Sequence, residues 1–177
     1  MVLKLVFMSF WYILPAYVAN ASACIFGGGT PIDLKKCFID GRRVIGDGVT
    51  FKGSFFGILL GTLTGAIQGI LINFNIFGQL DFYAGIIDHI ILAFLLSLGA
   101  IVGDAVGSFI KRRLNIERGK PAPLLDQLDF VIGALIFAYP FAPIPLSMVF
   151  IIIVMTLFIH FIGNVIAYLI GVKDCWW

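Results

Sequence analysis

Residues 53–74 read GSFFGILLGTLTGAIQGILINF, 22 positions without a charge. At a rise of about 1.5 Å per residue a helix of that length crosses the roughly 30 Å hydrocarbon core of a bilayer. Glycines at 53, 57, 61, 65 and 69 recur every fourth position, so they form one stripe down the helix. Lipid supplies no hydrophobic drive for helix association, and small residues gain packing contact by letting backbones approach. The stripe therefore predicts tight packing, within the chain or between two copies in a homodimer. A smooth wall against which an acyl or isoprenoid chain lies is the second use of such a surface.

The remainder of the chain has the same character. Its 177 residues are 60% hydrophobic and 12% charged, with a mean hydropathy of +1.05, which excludes a soluble globular domain with an ordinary surface. The expected fold is all-α, an integral membrane bundle of about five transmembrane helices with two charged cytoplasmic loops, forming one membrane-embedded catalytic domain over residues 1–177. The spans fall near 3–24, 53–74, 84–106, 128–142 and 146–171. The fourth is short and runs into Pro140, Pro143 and Pro145, which predicts a kinked or re-entrant end. The first carries Trp11, Tyr12 and Pro15 and lacks the short apolar core and small-residue cleavage site of a signal peptide. Cys24, Cys37 and Cys175 show no CxxC spacing, so neither a structural disulfide nor a zinc site is expected.

Eleven of the twelve Lys and Arg residues lie in two short loops and the C-terminal tail. By the positive-inside rule those loops and the C-terminus are cytoplasmic and the N-terminus is outside, in a multi-pass protein of the cell membrane. Eight of the ten acids share that side. A purely basic cluster would read as an anionic-lipid patch; mixed carboxylates and cations read as a binding site.

The chemistry begins at the end of the third span. If its helix continues past the membrane surface, Asp104, Ser108 and Lys111 share a face and present a carboxylate, a hydroxyl and an ammonium. A carboxylate near a helix C-terminus is disfavoured by the helix dipole unless a cation offsets it, and a divalent metal would do so. After the basic loop, Asp126 and Asp129 stand three apart at a helix start. Asp126 also suits an N-cap, whereas Asp129 lies deeper in the apolar boundary, where ionisable groups are costly and have partners. Paired carboxylates beside Lys and Arg are what a magnesium triphosphate site requires.

The run Gly103, Asp104, Ala105, Val106, Gly107, Ser108, continuing through Lys111 and Arg112 to Asp126 and Asp129, resembles the signature of the membrane cytidylyltransferases, the CDP-diacylglycerol synthase superfamily. Leu14 to Tyr17 with Ala19 and Asn20, Gly29 with Pro31 to Asp33, Asp40 to Arg43, and Gly46 to Gly53 are similar to its small archaeal branch, the CDP-archaeol synthases. The chain departs from the family pattern at Val49, where that branch usually has Lys, at Gln127, and at Lys120 to Pro123, which replace a His-Gly-Gly element.

The resemblance implies that CTP and an unsaturated archaeal glycerol diether phosphate, 2,3-bis-O-geranylgeranylglycerol 1-phosphate, give a CDP-lipid and pyrophosphate, with Mg2+ as cofactor and no nucleic-acid partner. A lipid phosphate is largely ionised near neutral pH, so the barrier lies in anion repulsion and leaving-group charge, which metal ions, Lys and Arg relieve. Asp104, Asp126 and Asp129 are the candidate metal ligands, with Asp104, Asp129 and Lys111 the catalytic set. Lys52, Thr50, Asp47, Arg43, Ser108, Arg112, Lys120 and Asn20 are the candidate CTP and substrate contacts. His89 lies near the outer end of its span, and His160 with Asn164 reads as interhelical hydrogen bonding. Two rival readings stay open, a CTP-dependent polyprenol kinase and a small non-enzymatic transporter. The second expects polar groups near the bilayer midplane, whereas here they crowd the cytoplasmic ends.

Overall fold

The computed structural model describes residues 2–74, 85–116, 120, 122 and 124–169, with the side chains of residues 164 and 167 left aside. The predicted features at Arg118, Pro121, Pro123, Lys173 and Cys175 lie outside the described residues. Five helices follow in order: α1 (Val2–Ile25), α2 (Phe51–Asn73), α3 (Ile86–Arg113), α4 (Leu125–Ala138) and α5 (Leu146–Leu169). α3 is central, packed between α2 and α4; α1 crosses both α2 and α3, and α5 leans on α1 and α4. The core between them holds Tyr12, Ile13, Ala16, Leu96, Val131, Ala134, Met148 and Ile152.

The glycine stripe explains the α1·α2·α3 side. A Cβ on Gly53, Gly57 or Gly61 would stand 2.7 to 2.8 Å from the carbonyl oxygens of Ala23, Ala19 and Pro15 on α1. One on Gly65 would stand 2.6 Å from the His89 carbonyl of α3, and one on Gly69 2.9 Å from Ile86 Cα. Packing within the chain therefore fills the stripe. On the opposite face of α2, Phe55, Leu59, Leu63 and Ile67 are exposed at intervals of four, as a lipid-facing surface requires.

Pro15 lies inside α1 and removes the N–H that would have met the Trp11 carbonyl. In a bundle without water that oxygen needs another donor. Gln68 of α2 supplies it: its Nε2 donates to Trp11 O at 2.7 Å from a buried position. From the next residue of α1, Tyr12 Oη donates 2.8 Å to the carbonyl of Ala142, in the turn after α4.

Two expectations are corrected. α3 does not end near residue 106 but runs unbroken to Arg113, so Asp104, Ser108 and Lys111 do share one helix. The fourth span is α4, 14 residues at Leu125–Ala138, displaced from the expected 128–142. At about 21 Å it is too short to cross a bilayer alone. Among the described residues four of the five helices are long and apolar enough to span by themselves, and α4 is the short fifth of the expected bundle. Ala122 is buried and its carbonyl accepts from Asp126 N–H at 3.0 Å, which fixes where α4 begins.

Candidate active site

α3 carries a second glycine stripe, at 99, 103 and 107, facing Gly133 on α4. A Cβ at Gly99 would meet the Gly133 carbonyl at 2.5 Å, and one at Gly133 would meet Gly103 Cα at 2.7 Å. This backbone-to-backbone approach continues to Asp129. A Cβ at Gly103 would collide with the Asp129 carbonyl, and one at Gly107 with its carboxylate, 2.7 Å from Asp129 Cβ. The carboxylate thus lies over the bare surface of α3, where it accepts from its neighbour Phe130 N–H at 2.7 Å. Asp104, Lys111 and Asp126 are all within electrostatic reach of it. Asp104 and Asp129 are half-buried and Ser108 is buried.

Lys111 Nζ donates to Asp126 Oδ1 at 2.6 Å, and the other carboxylate oxygen accepts from Ala122 N–H at 2.9 Å. Asp126 therefore ties the entry of α4 to the end of α3. Its return bond to Ala122, whose carbonyl accepts from Asp126 N–H, works like the reciprocal pairing of a capping box.

The 26–50 connection is organised by Asp33, a residue that sequence reading quotes only as part of a resemblance. Its side chain is 1% exposed. It accepts from Arg43 Nη2 at 2.8 Å and Nε at 3.2 Å, and from the N–H groups of Gly46, Ile45 and Lys35 at 2.8, 3.0 and 3.1 Å. Burial pushes the carboxyl up, but the Arg43 guanidinium and the three amides outweigh it and hold the group well below the usual carboxylate range. Arg43, bonded to Asp33 and to Asp47 at 2.9 Å, is raised above the usual guanidinium value. No signal in the sequence separates Asp33 from Asp40 or Asp47; only its five donors do.

The arginines clasp this connection to α3. Arg42 Nη1 donates to the carbonyls of Arg112 and Arg113 at 3.4 and 3.0 Å, satisfying the open end of the helix. Arg112 Nε reaches the Ile45 carbonyl at 3.2 Å and its Nη1 the Ile116 carbonyl at 2.6 Å. Arg113 donates to Asp40 at 2.9 Å and to the Arg43 carbonyl at 2.5 Å, with its guanidinium 4.9 and 4.8 Å from the ring centroids of Phe38 and Phe109. Arg43 and Arg112, expected as substrate contacts, thus have structural engagements. Asp47 is half exposed and paired with Arg43.

Thr50 is buried and is the N-cap of α2: its Oγ1 accepts from Gly53 N–H at 3.1 Å. Lys52 in the next turn is exposed, as is Lys120. Asn20 faces α5 and lines a cavity there with His160. Of the predicted residues, Asp104, Asp129, Ser108, Lys111 and Asp126 come together, Thr50 and Lys52 open α2, and Asn20 stands on another face of α1. Among the described residues no group of three or more acidic, His or Cys side chains forms a metal cage. Magnesium is held by one or two carboxylates together with substrate phosphates, and the Asp104 and Asp129 oxygens fit that donor set.

The chain as a whole is similar to known proteins. A solved structure described as an intramembrane enzyme for archaeal membrane lipid biosynthesis is 37% identical and superposes with a TM-score of 0.74, over 88% of this chain and 91% of that one. The CDP-archaeol synthase of Methanocaldococcus jannaschii is 73% identical over 174 residues, covering 98% of both chains, and that of Methanococcus aeolicus is 55% identical over 176, covering 99% of both. The relative of the same name in Pyrococcus abyssi is 51% identical over 97% of this chain and 98% of its own. The family model for CarS-like CDP-archaeol synthases matches residues 2–177. A multi-pass helical bundle with Asp129 of α4 laid on the glycine surface of α3 is the form that family takes here, and the chain belongs to the CDP-archaeol synthases, CTP-dependent nucleotidyltransferases.

Proposed function

We propose that the protein transfers the CMP unit of CTP to an unsaturated archaeal glycerol diether phosphate, 2,3-bis-O-geranylgeranylglycerol 1-phosphate, releasing pyrophosphate, at a charged face turned to the cytoplasm. The observation that carries the reading is the Asp129 carboxylate laid against Gly107, within reach of Asp104 and Lys111. Two acids and an ammonium at the rim of a membrane bundle suit a reaction between a soluble polyanion and a lipid anion. The family relation supports CTP and an archaeal lipid as the two substrates. The concentration of eleven of the twelve bases in two loops and the C-terminal tail supports the cytoplasmic orientation.

In this reaction a lipid phosphate oxygen attacks the α-phosphorus of CTP, the bond from that phosphorus to the bridging oxygen breaks, and the electron pair leaves with pyrophosphate. Asp104 and Asp129 would hold Mg2+, which supplies charge neutralisation at phosphate oxygens when bound. Asp126 keeps Lys111 extended at the same rim, and the Lys111 ammonium draws a phosphate oxygen into line. Lys52 and Lys120, both exposed, are cations available to the triphosphate, whereas Arg43 and Arg112 hold the 26–50 connection against α3. No general base is required, because the nucleophile is already an anion.

Purified protein in liposomes with magnesium, the lipid phosphate and CTP labelled at the α or γ phosphorus tests this reading. Label entering the lipid from the α position is expected. Label from γ would make the protein a kinase, and no lipid label from either position would remove the transferase reading.

A further inference from the structure

The α2 stripe that could have been a wall for a lipid chain is filled by α1 and α3. Open apolar room exists instead on the other side of α1, as a cavity of about 340 Å³ between α1, α4 and α5. That volume is in the range of sites that hold small organic ligands.

The cleft arises from the way α5 packs. Met148, Ile152 and Thr156, at intervals of four, are buried, and Tyr17 and Thr156 join their hydroxyls at 2.7 Å. Among the described residues none of α5 beyond Thr156 is buried. The cleft wall therefore opens sideways to lipid at Ala21 and Ile159, both exposed.

The lining also has a direction. Phe10 and Leu14, on the N-terminal side of Tyr17 in α1, form its apolar end. Asn20 and His160 lie three and four residues beyond the Tyr17 and Thr156 pair, toward the end of the bundle where the charged loops stand. Phe130, whose ring centroid is 5.9 Å from that of Tyr17, lines the same space and directly follows Asp129. An amphiphile seated here would have its polar end at the acidic site and its apolar end in the bundle.

We propose that the α1·α4·α5 cleft seats one isoprenoid chain of the lipid phosphate, with Asn20 and His160 beside the glycerol and the phosphate delivered to the Lys111 and Asp129 rim. The inference rests on the lipid-phosphate reading of the substrate. It makes Leu14 and Ile159 residues that set chain preference, and Asn20 a lipid contact instead of a CTP contact.

Photolabelling of the full chain in phosphatidylcholine liposomes tests it, using an ether-linked glycerol phosphate with a diazirine midway along one isoprenoid chain. Mapped labels are expected on residues 10–21 of α1 and 156–160 of α5, competed by unlabelled lipid phosphate. They should fall about tenfold in Leu14→Trp and in Ile159→Trp, since a filled cleft loses on the order of one decade of affinity. Ile159 is 40% exposed, so its replacement leaves the core untouched. Unchanged labelling in both variants overturns the proposal. So do labels as dense on Leu59 and Leu63 as in the cleft, or cleft labels that added neutral lipid competes equally well. Label transfer from CTP is read in the same liposomes. Cleft labelling without transfer removes the reaction and leaves the cleft, whereas transfer without cleft labelling removes the cleft alone.

Discussion

Gly107 of α3 leaves vacant the space that the Asp129 carboxylate of α4 occupies. A methyl group there meets the carboxylate and also, at 2.7 Å, Asp129 Cβ, which only a small shift of α4 relieves, so Gly107→Ala should displace the carboxylate at some cost in stability. The expected loss in kcat/KM is about a hundredfold, the size of effect that a shift of roughly 1 Å in a reacting group produces. Steady-state turnover together with thermal unfolding in detergent checks this. A variant with normal turnover would show that the position of Asp129 is unimportant.

Gly61 of α2 meets backbone. Its added Cβ would stand 2.8 Å from the Pro15 carbonyl oxygen and against Ser97 Oγ, whereas Gly163 on α5 has nothing within 4 Å. Gly61→Ala should cost about 1–3 kcal/mol as overpacking. Gly163→Ala should be neutral or stabilising by up to about 1 kcal/mol through helix propensity. The difference in unfolding midpoint between the two variants is the measurement.

Gln68 and Pro15 are coupled through the Trp11 carbonyl. Gln68→Leu leaves that oxygen without its donor and should destabilise by about 1–3 kcal/mol. In Pro15→Ala the helix can supply its own N–H, so the same Gln68→Leu change should cost less. A double-mutant cycle gives the coupling directly, and strict additivity would break the link between the two residues.

Asp33 confers acid-sensitive order on the charged face. Its folded carboxyl is held below the ordinary range, so its contribution is complete above the unfolded-state pKa of about 3.9 and is lost as pH falls below that toward the depressed folded value. Asp33→Asn should lower stability by about 2–3 kcal/mol near neutral pH, the scale of hydrogen bonds to a charged group. It should also flatten the decline in stability below about pH 4. Unfolding followed across pH 2 to 7 reads both effects.

Much of this fold is legible in the chain. Long uncharged runs set the helices, and the glycines at 53 to 69 announce a close approach because they repeat at helical spacing within one segment. The Asp104, Ser108 and Lys111 face is likewise local. The rest depends on partners far away in sequence. Gly99, Gly103 and Gly107 acquire meaning only opposite Gly133 and Asp129, and Gln68 only opposite a carbonyl freed by Pro15. The loop bonds of Arg43 and Arg112 are not legible either, because charge alone does not say which carbonyl or carboxylate an arginine reaches. The shortness of α4 escapes hydropathy because apolar residues continue past Ala138 through Phe141 and Ala142, which form a turn and not helix.

The clasp between residues 40–43 and the end of α3 joins positions 70 to 73 apart in the chain. A protein made from its N-terminus exposes the first partner well before the second exists. While α3 is still being synthesised, Arg42 and Arg43 are held within their own loop, by Asp33, Asp40, Asp47 and the Phe38 N–H, so the loop can form its own turn but cannot yet close on the bundle. The charged end is therefore the last part of the α1 to α3 unit to mature. A ribosome stalled before Arg112 emerges would display an inserted helical hairpin whose loop is still open to protease.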